Sequence, residues 1–508
     1  MEHHGVRRMS SLGYRWLIRA LGLPPAPQPV SSRLGTRLRE TWQEDGSVRR
    51  EYPPQYAAGE ALASQLEFAL KHEGVNLAVL ADLFRACGPA PIEEAVSEKP
   101  TGRYRRLMGF FYERLTGERL ALSRAVGGNY VDALNPDHYL TAPEPVLDRR
   151  WRVRDNLLGN GDFCPVIRRT QRLKDALAQP LAKELSGLIE AFPPELFARA
   201  NDYLYLKETR STYGIEHEPQ PVSGRLERFV ALLREAGRIP LAELLDEAGL
   251  TRRQNLVVDP RYAESGFRSI QNYVGEQRPD FTQRVHYVCP PPRWLASMLE
   301  GLATVATRSR GLSPLVRAAA VGFGFVFIHP FEDGNGRLHR FLIHDLLHRD
   351  GFVEGNLMLP VSATMLRRIA EYDAVLERYS RPLMEERVDY HLDPDGRLEL
   401  LNPDEVASYY RYPDLTAQTE YLAETVARTV REDLVEELRF LRGHDAAHRA
   451  VREIVDLPDR RLDLLLRLLH QNEGRLSRNK RGQFSEIEDH ELQRIEQAWQ
   501  QAFMLTDG

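Results

Sequence analysis

Cysteine is scarce. Cys87, Cys164 and Cys289 lie far apart in a chain of 508 residues, which excludes a disulfide framework or a cysteine zinc cluster and points to a reducing compartment, the cytoplasm. Long apolar runs are missing too. The longest uncharged one, Ala318 to Ile328, is too short to span a bilayer, so no membrane is expected as a partner. The N-terminal stretch MEHHGVRRMSSLGYRWLIRALGL has basic residues but no sustained apolar segment, and it does not read as a signal peptide. Nor does either charge dominate. With 68 basic against 73 acidic residues, net −5, no global field recruits nucleic acid. No internal repeat is apparent. Length is what the chain has, and 508 residues exceed what one core usually serves, so two or three domains are expected.

Residues 1–170 read as a mostly helical region of unassigned role, with helical periodicity over 58–72, 77–87 and 104–116 and an extended proline-rich linker from Leu23 to Pro29. Arg149, Arg150, Arg152 and Arg154 cluster around Trp151, and Arg168 and Arg169 follow. Such patches contact nucleic acid in some proteins, but a solvated face or a domain contact is the expectation here. Residues 386–508 read as a hairpin, 388–392 and 398–400 about Asp393-Pro394-Asp395-Gly396, and then helices over 416–442, 448–455, 461–471 and 485–503. The basic loop 474–482 gives the last two helices the shape of a small winged-helix-like module, although a packing appendage with a solvated turn is expected.

The middle segment, 171–385, carries the chemistry. Helices fit 183–192, 194–205, 223–236, 241–248 and 293–307. Strand-like alternation at 270–275 and 285–288 flanks a polar stretch and makes a hairpin. Ser313 and Pro314 start an apolar helix, and Ser362 opens another that reaches Tyr379 and bears Tyr372. Between two apolar stretches lies His329-Pro330-Phe331-Glu332-Asp333-Gly334-Asn335-Gly336-Arg337-Leu338-His339-Arg340. The glycines at 334 and 336 let backbone N–H groups approach a ligand closely. From about Arg337 the pattern turns helical and ends near Asp350-Gly351, so those N–H groups lie at a helix N-terminus, which favours an anion. Arg337 and Arg340 share a helix face and suit phosphate oxygens. Asp333 is a hard oxygen ligand that completes a Mg²⁺ shell together with phosphates. His329 titrates near neutrality, as a general base must. These are the ingredients of phosphoryl or nucleotidyl transfer.

The twelve residues resemble the motif of the Fic family, His-x-Phe-x-(Asp/Glu)-Gly-Asn-Gly-Arg-x-x-Arg, with every specified position filled. The resemblance covers roughly 200 residues and implies a mainly α fold: a Fic-type helical core with a small β-hairpin flap, flanked here by helical N- and C-terminal regions. It also implies a Mg²⁺- and ATP-dependent protein adenylyltransferase, which passes AMP to a Tyr, Thr or Ser hydroxyl of a target protein or of itself. On that resemblance His329 takes the hydroxyl proton and Asp333 holds the metal. Gly334, Gly336 and the amide of Asn335 form the anion hole for the α-phosphate, and Arg337 and Arg340 take the outer phosphates. Phe331 anchors the loop. Glu332 and His339 occupy variable positions and are expected to be solvated.

The hairpin 270–288 fits the family's flap, which holds the target by main-chain pairing, and its Val274 and Gly275 are placed against the nucleotide. Tyr372 is placed as a wall for adenine. Inhibited members carry (Ser/Thr)-x-x-x-Glu-(Gly/Asn), whose glutamate pairs with the motif's second arginine. Thr212 and Glu216, in the helix expected at 209–217, match the first part, while His217 departs from the pattern. Autoinhibition by Glu216 is the expectation. Two alternatives stay open. One is another transfer on the same fold: of phosphate, phosphocholine or another nucleotide, or AMP removal. The other is a regulator or toxin whose terminal regions bind nucleic acid or a partner. Nucleic acid is not the expected partner, and a homo-oligomer is compatible with the sequence.

Overall fold

The computed structural model describes residues 11–43, 46–218, 224–279 and 282–504, with side chains at 194–196 and 504 left aside. Among these residues the chain is mainly α-helical, with four small sheets. The chain divides into two compact units, and neither follows the three sequence segments. One takes 1–178, 222–350 and 368–423; the other takes 179–221, 351–367 and 424–508.

In the first unit the organising element is helix Pro314–Ile328, buried along nearly its whole length. Apart from Arg317 its residues are apolar or glycine, so it has no polar face and lies inside a core. The glycines decide what lies beside it. A Cβ at Gly322 would come within 2.8 Å of Ile343 on helix Asn335–Arg349, and one at Gly324 within 2.7 Å of Leu302 on helix Leu295–Arg308. Each glycine lets one neighbour approach closely. Ser313 occupies the cap position with Pro314 at the first turn, but its side chain makes no capping hydrogen bond. The buried Arg317 instead donates to Ala306 O at 3.0 and 2.6 Å, closing the end of the neighbouring helix, and pairs with Asp350.

The N-terminal part departs from the expected helical region. Helices Leu62–His72, Leu77–Cys87 and Arg103–Thr116 are present. Strands Ser11–Leu12, Val30–Leu34, Val48–Tyr52 and Arg39–Trp42 pair in that order into a sheet, and three short strands between 131 and 155 make another. Trp151 is core, not platform: its Nε1 donates to Glu113 at 2.8 Å, Arg150 pairs with Glu113, and Arg154 pairs with Asp132. These carboxylates offset the charge of Arg150 and Arg154.

The second unit is helical. Pro194–Ile215 is one helix of 22 residues, where the sequence reading had two pieces. Its buried Glu208 accepts the backbone N–H of Ser362 at 2.8 Å, which satisfies a donor at the start of helix Val361–Arg367. Helices Leu434–Arg452, Asp459–Gln471 and Asp489–Met504 close around Leu465, Leu466, Leu469, Phe484, Ile495 and Trp499. No strand occurs among the described residues of 434–504, so these residues form no wing.

Candidate active site

His329 ends helix Pro314–Ile328 in the left-handed region, with φ 52° and ψ 60°, and its N–H still bonds to Phe325 O. Histidine tolerates this conformation better than most residues. The turn throws the chain out of the helix and into the motif loop. Nδ1 lies 3.1 Å from Val326 O. A carbonyl can only accept, so Nδ1 carries the proton and Nε2 is the basic nitrogen.

Asn335 shapes the loop. Its Oδ1 accepts from Phe331 N at 3.0 Å and its Nδ2 donates to Phe331 O at 2.7 Å. Both groups of the amide expected to meet an anion thus bond to the backbone of Phe331. Phe331 is buried as expected, edge-on to Phe267 with ring centres 5.7 Å apart. Gly334 has φ 89°, and a Cβ there would lie 2.9 Å from Val258 Cγ1, so a side chain is barred twice. Helix Asn335–Arg349 begins immediately after it, and its first-turn N–H groups have no intrahelical acceptor. Asp333, with its side chain 39% exposed, accepts from Gly334 N at 2.6 Å and pairs with the buried Arg337. Arg337 also donates to Val257 O at 3.1 Å, and Arg340 is buried one turn further on.

Four residues that the sequence reading passed over hold this loop. Gln254 donates to Asp333 O and Glu264 accepts from Glu332 N, at 3.3 and 2.8 Å. Burial raises the Glu264 carboxyl, against the lowering effect of the backbone N–H groups it accepts from. Asn272 donates to Phe331 O and Glu332 O at 3.2 and 3.3 Å, and Arg268 donates to His329 O at 2.9 Å. No periodicity marks such residues, because they act singly from loops and helix ends.

The hairpin pairs Tyr273–Gln277 with Gln283–Val288, bulged between Val274 and Gly275. Gly275 is needed where it stands, since a Cβ there would meet Arg284 O at 2.5 Å. The strand carrying Val274 and Gly275 begins at the residue after Asn272, so the flap is rooted at the motif loop. From Val274 to Gln277 it is exposed.

His339 departs from the expectation. Glu332 is exposed as expected, but His339 is 0% exposed, packed on Phe323 at 4.8 Å and parallel to Tyr372 at 6.3 Å between ring centres. Tyr372 is itself only 4% exposed. It sits where a core tyrosine sits, with little surface to offer an adenine. In the second unit, Thr212 is buried, and the half-buried Glu216 follows helix Pro194–Ile215 as its C-cap.

Burial, with the Arg340 charge beside it, pulls the His339 imidazole down to about 3, and burial with His344 and Arg238 pulls His348 to about 4. Both are neutral in the folded chain, while an unfolded histidine protonates near pH 6.5. Below that pH the unfolded chain binds more protons, so this stability is complete above about 6.5 and falls as pH drops toward 4 and 3. Each is expected to cost on the order of 2 kcal/mol at about pH 4.5. Urea midpoints at neutral and acid pH, for wild type and His339→Leu, check this. The variant is expected to lose less on acidification, and an equal loss contradicts the neutral buried state.

Among the described residues no three His, Cys, Asp or Glu side chains converge on a metal position, and no helix is long and apolar enough to cross a membrane. Residues 257–347 match the family model described as Fic/DOC. The protein adenylyltransferase fic-1 of Caenorhabditis briggsae is 34% identical over 146 residues, 28% of this chain and 25% of that protein. The protein adenylyltransferase Fic of Drosophila grimshawi is 37% identical over 117 residues, 22% of this chain and 21% of that protein. The chain thus spans a quarter or less of the length of these relatives. Among solved structures, a Fic family protein from Desulfovibrio desulfuricans G20 is 19% identical with a TM-score of 0.36, covering 60% of this chain and 87% of that chain.

Proposed function

We propose that this chain, whose residues 257–347 match the Fic/DOC family model, is a protein adenylyltransferase that moves AMP from ATP to a hydroxyl side chain of a target protein and of itself. The observation that carries the reading is the unbroken motif from His329 to Arg340, folded as a helix end, a loop and a helix N-terminus at the root of a hairpin. The relatives named protein adenylyltransferase support it over their matched portions.

In this reading the target segment pairs with the exposed edge of the strand Tyr273–Gln277. Its Tyr, Thr or Ser oxygen attacks the α-phosphorus while the proton passes to Nε2 of His329, and the bond to pyrophosphate breaks. The N–H groups of the loop and of the first turn of helix Asn335–Arg349 receive the α-phosphate oxygens. Arg337 and Arg340 hold the outer phosphates. A lone, part-exposed carboxylate suits Mg²⁺, which is usually shared between one or two carboxylates, phosphates and waters. Asp333 is that carboxylate, and the bound ion would neutralise phosphate charge. Three free cysteines support a reducing, cytoplasmic setting.

The test is parallel incubation of the full chain and a lysate with α-labelled or γ-labelled ATP. Protein-bound label is expected from the α position alone. Label from the γ position alone identifies a kinase-like transfer instead.

Autoinhibition by Glu216 is the finer part of the proposal and rests on the match of Thr212 and Glu216 to the inhibitory pattern. Glu216→Gly is expected to increase self-labelling, and adding Arg340→Ala should remove the gain, because Arg340 is assigned to the γ-phosphate. Equal labelling by wild type and Glu216→Gly leaves this helix a structural element only.

A further inference from the structure

Resting on that reading, we propose that Arg268 is a positioning residue that couples the flap to His329, so that the segment gripped by the one and the base supplied by the other keep a fixed register. The side chain is 3% exposed, and each of its three nitrogens has its own carbonyl acceptor. Nε donates to His329 O at 2.9 Å, Nη1 to Ile270 O at 2.8 Å and Nη2 to Pro290 O at 2.6 Å. Its backbone N–H adds a bond to Pro330 O at 2.9 Å.

Ile270 precedes the first strand of the hairpin and Pro290 follows the second. One planar cation therefore joins both feet of the flap to His329, and the backbone N–H of the same residue holds Pro330. A guanidinium can do this because its donors point in fixed, divergent directions; an ammonium on a flexible stem cannot hold three separated carbonyls in one plane. The position suits a cation as well. His329 O lies at the C-terminal end of helix Pro314–Ile328, where the helix dipole is negative. Tyr287, whose hydroxyl donates to Phe327 O at 2.5 Å, also pins the flap but leaves the His329 carbonyl alone. It is the natural control.

Hydrogen exchange and labelling on the full chain test the coupling. The Cys289 N–H, bonded to Asn272 O at 3.0 Å, reports the flap root, and the Arg268 N–H reports the loop. In wild type, peptides containing these amides are expected to exchange with one common dependence on urea. In Arg268→Lys both should accelerate together while helix Leu295–Arg308 keeps its protection; in Tyr287→Phe only the flap root should. Self-labelling by Arg268→Lys is expected to fall about 10²-fold, the cost of a misplaced reacting group, with ATP affinity within about threefold of wild type. Independent opening of loop and flap in wild type, or wild-type labelling by Arg268→Lys, overturns the proposal. If Arg268→Lys does not fold, the wild-type exchange decides alone. If neither wild type nor Glu216→Gly labels anything, the transfer reading is overturned instead, and exchange still decides the coupling.

Discussion

Replacing His329 by alanine is expected to lower AMP transfer by about 10²–10⁴-fold, the usual worth of a positioned general base, while ATP binding stays within a few-fold. The two effects separate because the imidazole is assigned to the target hydroxyl and not to the phosphates. The backbone complicates the alanine variant. At φ 52° an alanine is strained by roughly 1 kcal/mol, whereas asparagine tolerates the left-handed region. His329→Asn should therefore keep the loop and lose the base. If both variants bind ATP and neither transfers AMP, the base assignment stands. Wild-type transfer by either, in folded protein, refutes it.

The second large effect is expected at Arg337. Its buried guanidinium is committed to Asp333 and to Val257 O, so gripping phosphate requires an exchange of partners. On the proposed roles Asp333 would turn from Arg337 to the metal, and Arg337 from Asp333 to the nucleotide. Arg337→Ala removes charge-assisted hydrogen bonds worth about 1.5–3 kcal/mol, and ATP affinity is expected to drop by roughly 10- to 100-fold. Asp333→Ala should behave differently: ATP binding becomes insensitive to Mg²⁺ while Arg337, freed of its competitor, still holds the phosphates. Calorimetric titration of both variants with and without Mg²⁺ reads the two effects. An unchanged Mg²⁺ dependence in Asp333→Ala contradicts the metal role, and an unchanged affinity in Arg337→Ala contradicts the phosphate role.

The motif was legible because its residues are adjacent in sequence and each carries a distinct chemical reason to be there. Helix Pro314–Ile328 was legible because an uninterrupted apolar run admits few alternatives, and the hairpin because its alternation is clear. Other features follow from what the chain packs against. His339 lies beside Arg340 in a charged-looking stretch, but the space left by Gly322 draws it into the core. Asn335 looks like a ligand donor in sequence; its short reach back to Phe331 makes it a loop staple. The N-terminal sheet was hidden by composition, since Arg39–Trp42 is exposed throughout and Val48–Tyr52 is largely charged. Its parallel pairing of Val30–Leu34 with Val48–Tyr52 joins strands that no local pattern links. Arg268 shows the limit most clearly: a single arginine in a loop, defined only by three carbonyls from separate segments.

The most direct test of the central claim is the mass of the group found on the acceptor residue. Wild type, Glu216→Gly and His329→Asn are incubated with unlabelled ATP and Mg²⁺, digested, and the modified peptides sequenced by mass spectrometry. An adenylyl group on a Tyr, Thr or Ser oxygen, present in the first two or in Glu216→Gly alone and absent from His329→Asn, is the predicted result. A phosphate at that position, or an adenylyl group that persists without His329, would contradict it.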